Sequence, residues 1–171
     1  MSDRVDRFVA RSREFLTWLW FESERGLGSI ELDGVGKVGV AFTKRLTLDA
    51  SGGHRDGNTV SADAPGEAEE ARTSLRLGKQ VANARLLIDL GERHFELSVN
   101  ASTFVMTDVK LPTLLQTGEQ ERLSERLMLI EELESLFDGL LLQFARRRMD
   151  AEAWGEVRAS MHQWATRAVD I

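Results

Sequence analysis

Apolar residues in the first 24 positions recur at intervals of three and four. Val5, Phe8, Val9, Phe15, Leu16 and Leu19 follow this spacing, with Ser12 in the same register. The pattern predicts a helix over 3–24, with Ser2 or Asp3 as N-cap. Near its end Trp18, Trp20 and Phe21 join the apolar set, so the last turns are hydrophobic on every side. A helix of that kind is surrounded by protein. Burial between two layers of the same chain would satisfy it, and so would a face covered by another chain.

From Ser29 to about Ala64 the period becomes two. Val38, Val40 and Phe42 alternate, Leu46 and Leu48 resume beyond Lys44-Arg45, and Thr59-Val60-Ser61 reads as a return strand. The glycines between Ala50 and Asn58 mark a turn, the segment expected to be most mobile. Pro65-Gly66 opens a short helix over 67–77. Its acidic start suits the helix dipole, and Gly78 is placed to end it. Gln80 to Leu90 and His94 to Ala101 form a hairpin around Gly91-Glu92, followed by a strand over 103–109. Thr117 to Gln120 has the form of a capping box before a helix over 119–149. Leu123, Leu127, Ile130, Leu133, Phe137, Leu140 and Phe144 make its apolar stripe. Asp150 caps a last helix over 152–169, which carries Trp154, Val157, Met161, Trp164 and Ala168.

This order predicts an α+β fold. It has an N-terminal helix, a small, mostly antiparallel sheet with a short crossing helix, and a C-terminal antiparallel helical hairpin. Residues 1–118 form the core region and 119–171 the hairpin packed on it, within one compact domain of 171 residues.

Composition narrows the chemistry. With 42% apolar and 29% charged residues the chain is a folded globular protein. The absence of cysteine excludes disulfides, a thiol nucleophile and cysteine-based zinc sites. The longest apolar run, Phe15 to Phe21, is far short of the roughly 20 residues that span a bilayer. No secretory signal is evident, so no membrane partner is expected and the cytoplasm is the expected compartment. Gly34-Val35-Gly36-Lys37-Val38-Gly39 fits G-x-G-x-x-G, but a strand pattern follows it where a dinucleotide site needs a helix. A glycine turn between strands is the better reading. His54, His94 and His162 lack metal-ligand spacing. No cofactor, metal or catalytic residue is expected, and the chain reads as no enzyme.

Charge leaves two basic features. The net charge of −6 argues against a generic polyanion binder, yet residues 119–171 hold eleven acids against seven bases, so most of the excess lies in one segment. Arg72, Arg76 and Lys79 are spaced to line one face of the short helix and its exit, and Arg85 follows on the next strand. Arg146 and Arg147 belong to a run of three arginines ending the long helix. Arginine suits bidentate contact with phosphate. The alternatives are a solvated face paired with Glu69 and Glu70, and cations complementing a helix C-terminus.

Arg13 to Phe21 reads REFLTWLWF, and Glu70 to Leu86 reads EARTSLRLGKQVANARL. Both segments resemble the recombination-associated RdgC-type proteins, as does Leu111-Pro112 before a long helix and a Trp-containing last helix. The similarity runs from about Phe8 to Trp164 and corresponds to that family's C-terminal half. The resemblance implies a non-enzymatic protein of a ring-shaped dimer that encircles duplex DNA without sequence preference and restrains recombinase action. It would place the chain with the nucleoid, and the basic features above offer Arg72, Arg76, Lys79, Arg85, Arg146 and Arg147 for phosphate contact. The second expectation is a protein-interaction or oligomerisation module without direct DNA binding. It would act through Phe15, Trp18, Trp20 and Phe21, as a homodimer or with a protein supplying the missing N-terminal half.

Overall fold

Alternating burial along its strands organises this fold around one face of a sheet. The computed structural model describes residues 2–50, 58–61 and 69–166. The loop between Ala50 and Asn58 with His54, the Pro65-Gly66 helix start and the last helix beyond Thr166 lie outside the described residues, as do the side chains of Val5, Phe8 and Val9. Helix α1 (Ser2–Arg25) leads into strands β1 (Ser29–Leu32), β2 (Gly36–Ala50) and β3 (Asn58–Ser61). Helix α2 (Glu69–Arg76), strands β4 (Lys79–Leu90), β5 (Arg93–Asn100) and β6 (Met106–Lys110), and helices α3 (Glu119–Met149) and α4 (Ala151–Thr166) follow. The α+β expectation holds. The sheet has six strands in the order β1-β2-β4-β5-β6, with β3 also on β2, and every pairing is antiparallel.

The G-x-G-x-x-G motif is a hairpin. Gly34 and Gly36 take φ of 75° and 94° in the β1–β2 turn, a region L-residues avoid. Gly39 lies in β2 opposite Asp89, where an added Cβ would come within 2.9 Å of the Asp89 Cβ. The apolar residues on either side of Lys44-Arg45 belong to one strand, because a bulge between Phe42 and Leu46 lets β2 continue along β4. The strand expected over 103–109 begins only at Met106. Asn100 diverts the chain first, its Oδ1 accepting bonds from the Ser102 and Thr103 amides at 2.9 and 3.2 Å.

The helix ends divide the capping expectations. Asp150 Oδ1 accepts from the amides of Glu152 and Ala153 at 3.1 and 3.0 Å, as expected of an N-cap. The Thr117–Gln120 capping box does not form. Gly118 is the N-cap of α3, and no side chain caps it.

Residues of β2, β4 and β5 that point inward, such as Val38, Val40, Leu86, Ile88, Phe95 and Leu97, are buried. α1 lies against this face, in contact with β1, β2 and β4. α3 and α4 also pack on α1. Phe15 meets Phe137 and Phe144 of α3 edge-on at 5.6 and 5.5 Å, while Trp20 stands between Phe42 of β2 and Trp164 of α4. The all-round apolar end of α1 is therefore explained within the chain: it is a middle layer. Each fully buried aromatic side chain there contributes about 2–3 kcal/mol.

Candidate interaction site

The aromatic quartet expected at a partner interface is interior. Phe15 and Trp18 are 0% exposed, Trp20 1% and Phe21 3%. Their rings contact this chain's own α3, α4 and β2, so they offer no surface to another molecule. That expectation is corrected for these four side chains.

The six expected phosphate contacts are spread over three places. Arg72 and Arg76, one turn apart on α2, reach the last turn of α4. Arg72 Nη1 donates to the Trp164 carbonyl at 3.1 Å, and Arg76 Nε donates to the Ala165 carbonyl at 2.9 Å. Carbonyls at a helix C-terminus lack intrahelical donors, and two cations complement the dipole there. Arg72 Nη2 also meets Glu24 at 2.7 Å. Lys79 opens β4 and is itself engaged in an interaction. Arg85 lies on the opposite face of the sheet, bonded to Glu96 at 2.6 Å with Asp108 at 4.0 Å. The Glu96 bond holds its guanidinium pKa above the ordinary value, against some desolvation. Arg146 pairs with Asp33 at 3.3 Å, and Arg147 stands 4.0 Å from the buried Glu22. Adjacent Arg148 pairs with Glu14 at 2.7 Å. Carboxylates and carbonyls of the chain hold these guanidinium groups, and no single track gathers them.

Among the described residues no helix is long and apolar enough to cross a membrane. Nor does any group of three His, Cys, Asp or Glu among them converge to hold a metal ion. His94 meets Asp89 at 2.6 Å on the exposed sheet face.

What the sequence reading missed lies along α3. Its apolar stripe splits in two: Leu133, Phe137, Leu140 and Phe144 are buried, whereas Leu123 and Leu127 are 58% and 54% exposed. Ile130, between them, is also exposed. Beside this half of the helix runs a cleft of about 710 Å³, lined by Phe104, Val109, Leu111, Leu114, Ile130 and Leu133. Arg126 and Glu134 stand at its rim. Arg126 also borders an adjoining depression of about 630 Å³ that includes Leu123.

Local structure fixes the cleft walls. The Asn100 turn delivers Phe104 at φ 55°, in the left-handed region, where its ring is edge-on to Phe15 at 5.8 Å. Non-glycine residues there cost of order 1 kcal/mol and persist where surrounding contacts demand it. The opposite wall, the connection from β6 to α3, is tied down by Glu125. Its carboxylate accepts bonds from the Leu115 amide at 2.9 and 3.0 Å and from the Gln116 amide at 3.0 Å. Those two backbone donors hold the Glu125 pKa below its ordinary value. The available signal was length: at 31 residues α3 is the longest of the described helices.

Comparison with protein-family models, with curated proteins and with solved structures finds no match to this chain.

Proposed function

We propose that this chain is a non-catalytic protein-interaction module whose docking surface is the α3–β6 cleft and the exposed leucines beside it. One observation carries the reading: the core stripe of α3 continues outward as Leu123, Leu127 and Ile130, which none of the described residues covers. A contiguous apolar surface rimmed by charge is the usual form of an interaction site. The ligand chemistry it fits is an amphipathic helix, apolar along one face and charged at its margins. The place differs from the α1 aromatics first expected, but the function class is the same. The nucleic-acid reading keeps the sequence resemblance as its support, and the engagement of its arginines within the chain weighs against it.

Photo-crosslinking tests the module. A benzophenone amino acid replaces Leu127 in one version of the full chain and Leu142, equally exposed on the same helix, in another. Discrete adducts at Leu127 and none at Leu142 are expected. Absence of any discrete adduct at Leu127, in purified protein and in cell extract, would overturn the reading.

A further inference from the structure

We infer that the occupant of this surface is a second copy of the chain, its α3 laid antiparallel on the first near a two-fold axis at Ile130. This rests on the interaction-module reading above and adds the identity of the partner.

The inference comes from one ridge of α3. Arg122, Arg126, Ile130, Glu134 and Asp138 follow one another at intervals of four. They form an i±4n row on the helix surface, and all five are exposed. Over 16 residues the row extends about 24 Å. Its charge reverses at Ile130, with two cations before and two anions after. Within one chain this order is unfavourable, because Arg122–Arg126 and Glu134–Asp138 are like-charge pairs at i,i+4. Among the described residues none of the four makes an ion pair within the chain, although Arg122 acts on Glu125 through space. A row that repels itself and reverses sign about its centre is complementary to its own antiparallel copy.

Helix-packing geometry allows the match. Two helices whose i±4n ridges interdigitate cross at about −50°, which brings the rows alongside one another. With the axis at Ile130, Arg126 comes level with the second copy's Glu134, and Arg122 with its Asp138. The symmetry repeats both pairs. A parallel arrangement would set arginine against arginine. The antiparallel one also brings the second copy's Leu127 level with Leu133 in the cleft. The contact is self-complementary, so it closes as a dimer and does not propagate. Edge-to-edge sheet pairing is a poorer route. β6 is interrupted by a bulge, takes a left-handed residue at Asp108 and carries Lys110, features that discourage strand addition.

The test exchanges charge at fixed shape. Sedimentation of the full chain, at concentrations where the parent is dimeric, is compared for R126E, for E134R, for their equimolar mixture and for the double exchange R126E/E134R. Each single variant should associate at least about tenfold more weakly than the parent, since reversal turns two attractions into two repulsions. The mixture and the double exchange should recover dimer, and circular dichroism should show all variants folded. A parent that is monomeric at every concentration, or single variants that dimerise like the parent, would overturn the second-copy inference. In that event a Leu127 adduct to a different protein leaves the module reading standing, whereas no adduct at all removes both.

Discussion

Glu24 binds three helices together. Its carboxylate accepts the indole N–H of Trp20 at 2.8 Å and that of Trp164 at 2.7 Å, and it meets Arg72 at 2.7 Å. α1, α2 and α4 thus share one charged, hydrogen-bonded point, and the Arg72 guanidinium also covers the Trp164 ring at 5.3 Å. Removing the acceptor strands two indole donors and a cation. Glu24→Ala should lose about 2–4 kcal/mol in urea unfolding. Glu24→Gln should lose less, because its carbonyl can still accept an indole proton. Equal stability of Glu24→Ala and the parent would show that the node is not structural. The individual partners were visible in the sequence as Arg72, Trp20 and Trp164, yet their meeting was not. Glu24 and Trp164 lie 140 positions apart, and no periodicity reports on such a separation. Arg72 and Arg76 were legible as one helical face. What they face was not, since a spacing of four serves a phosphate backbone and a helix C-terminus equally well.

At the scale of elements, α3 shows how far periodicity reaches. Its apolar stripe identifies the helix and its core-facing direction, but an apolar stripe looks the same whether the opposing surface is present or absent. The ends of α3 were harder still. Thr117 offered the composition of a capping box, while the chain places Gly118 at the N-cap and uses Glu125 to hold the preceding segment. That use of Glu125 has a pH signature. Its folded pKa lies below the ordinary 4.5, because the Leu115 and Gln116 amides favour the carboxylate. A carboxyl group lowered on folding contributes fully above its unfolded pKa, and the contribution fades as pH falls through the lowered value. The Leu115 and Gln116 amide resonances should therefore hold where an ordinary glutamate titrates and shift together only at lower pH. In Glu125→Gln this step should vanish, leaving weaker amide protection at all pH values. Amide shifts that titrate alike in parent and variant would exclude Glu125 as the tether.

For the whole molecule, the distribution of charge matters more than its sum. The fold assigns cations to internal duties: Arg72 and Arg76 to the end of α4, Arg85 to Glu96, and Arg146, Arg147 and Arg148 to acids of α1 and the β1–β2 turn. A duplex-binding protein must present cations to phosphates, releasing counterions in proportion to the contacts made. Here a contact through any of these six arginines would first break an internal one, on a chain of net charge −6. Fluorescence anisotropy with labelled duplex DNA at low salt should accordingly show no saturable binding by the full chain. The opposite outcome has its own signature: saturable binding that weakens steeply with salt and is further weakened by R85Q, a substitution on the sheet face remote from α3. That result would return the chain to the nucleic-acid reading. R76E cannot serve as this control, because it also withdraws the donor from the Ala165 carbonyl and would confound lost contact with lost fold. R85Q gives up the Glu96 bond but leaves the helical layer untouched, so once circular dichroism shows it folded, a change in DNA affinity would report on phosphate contact.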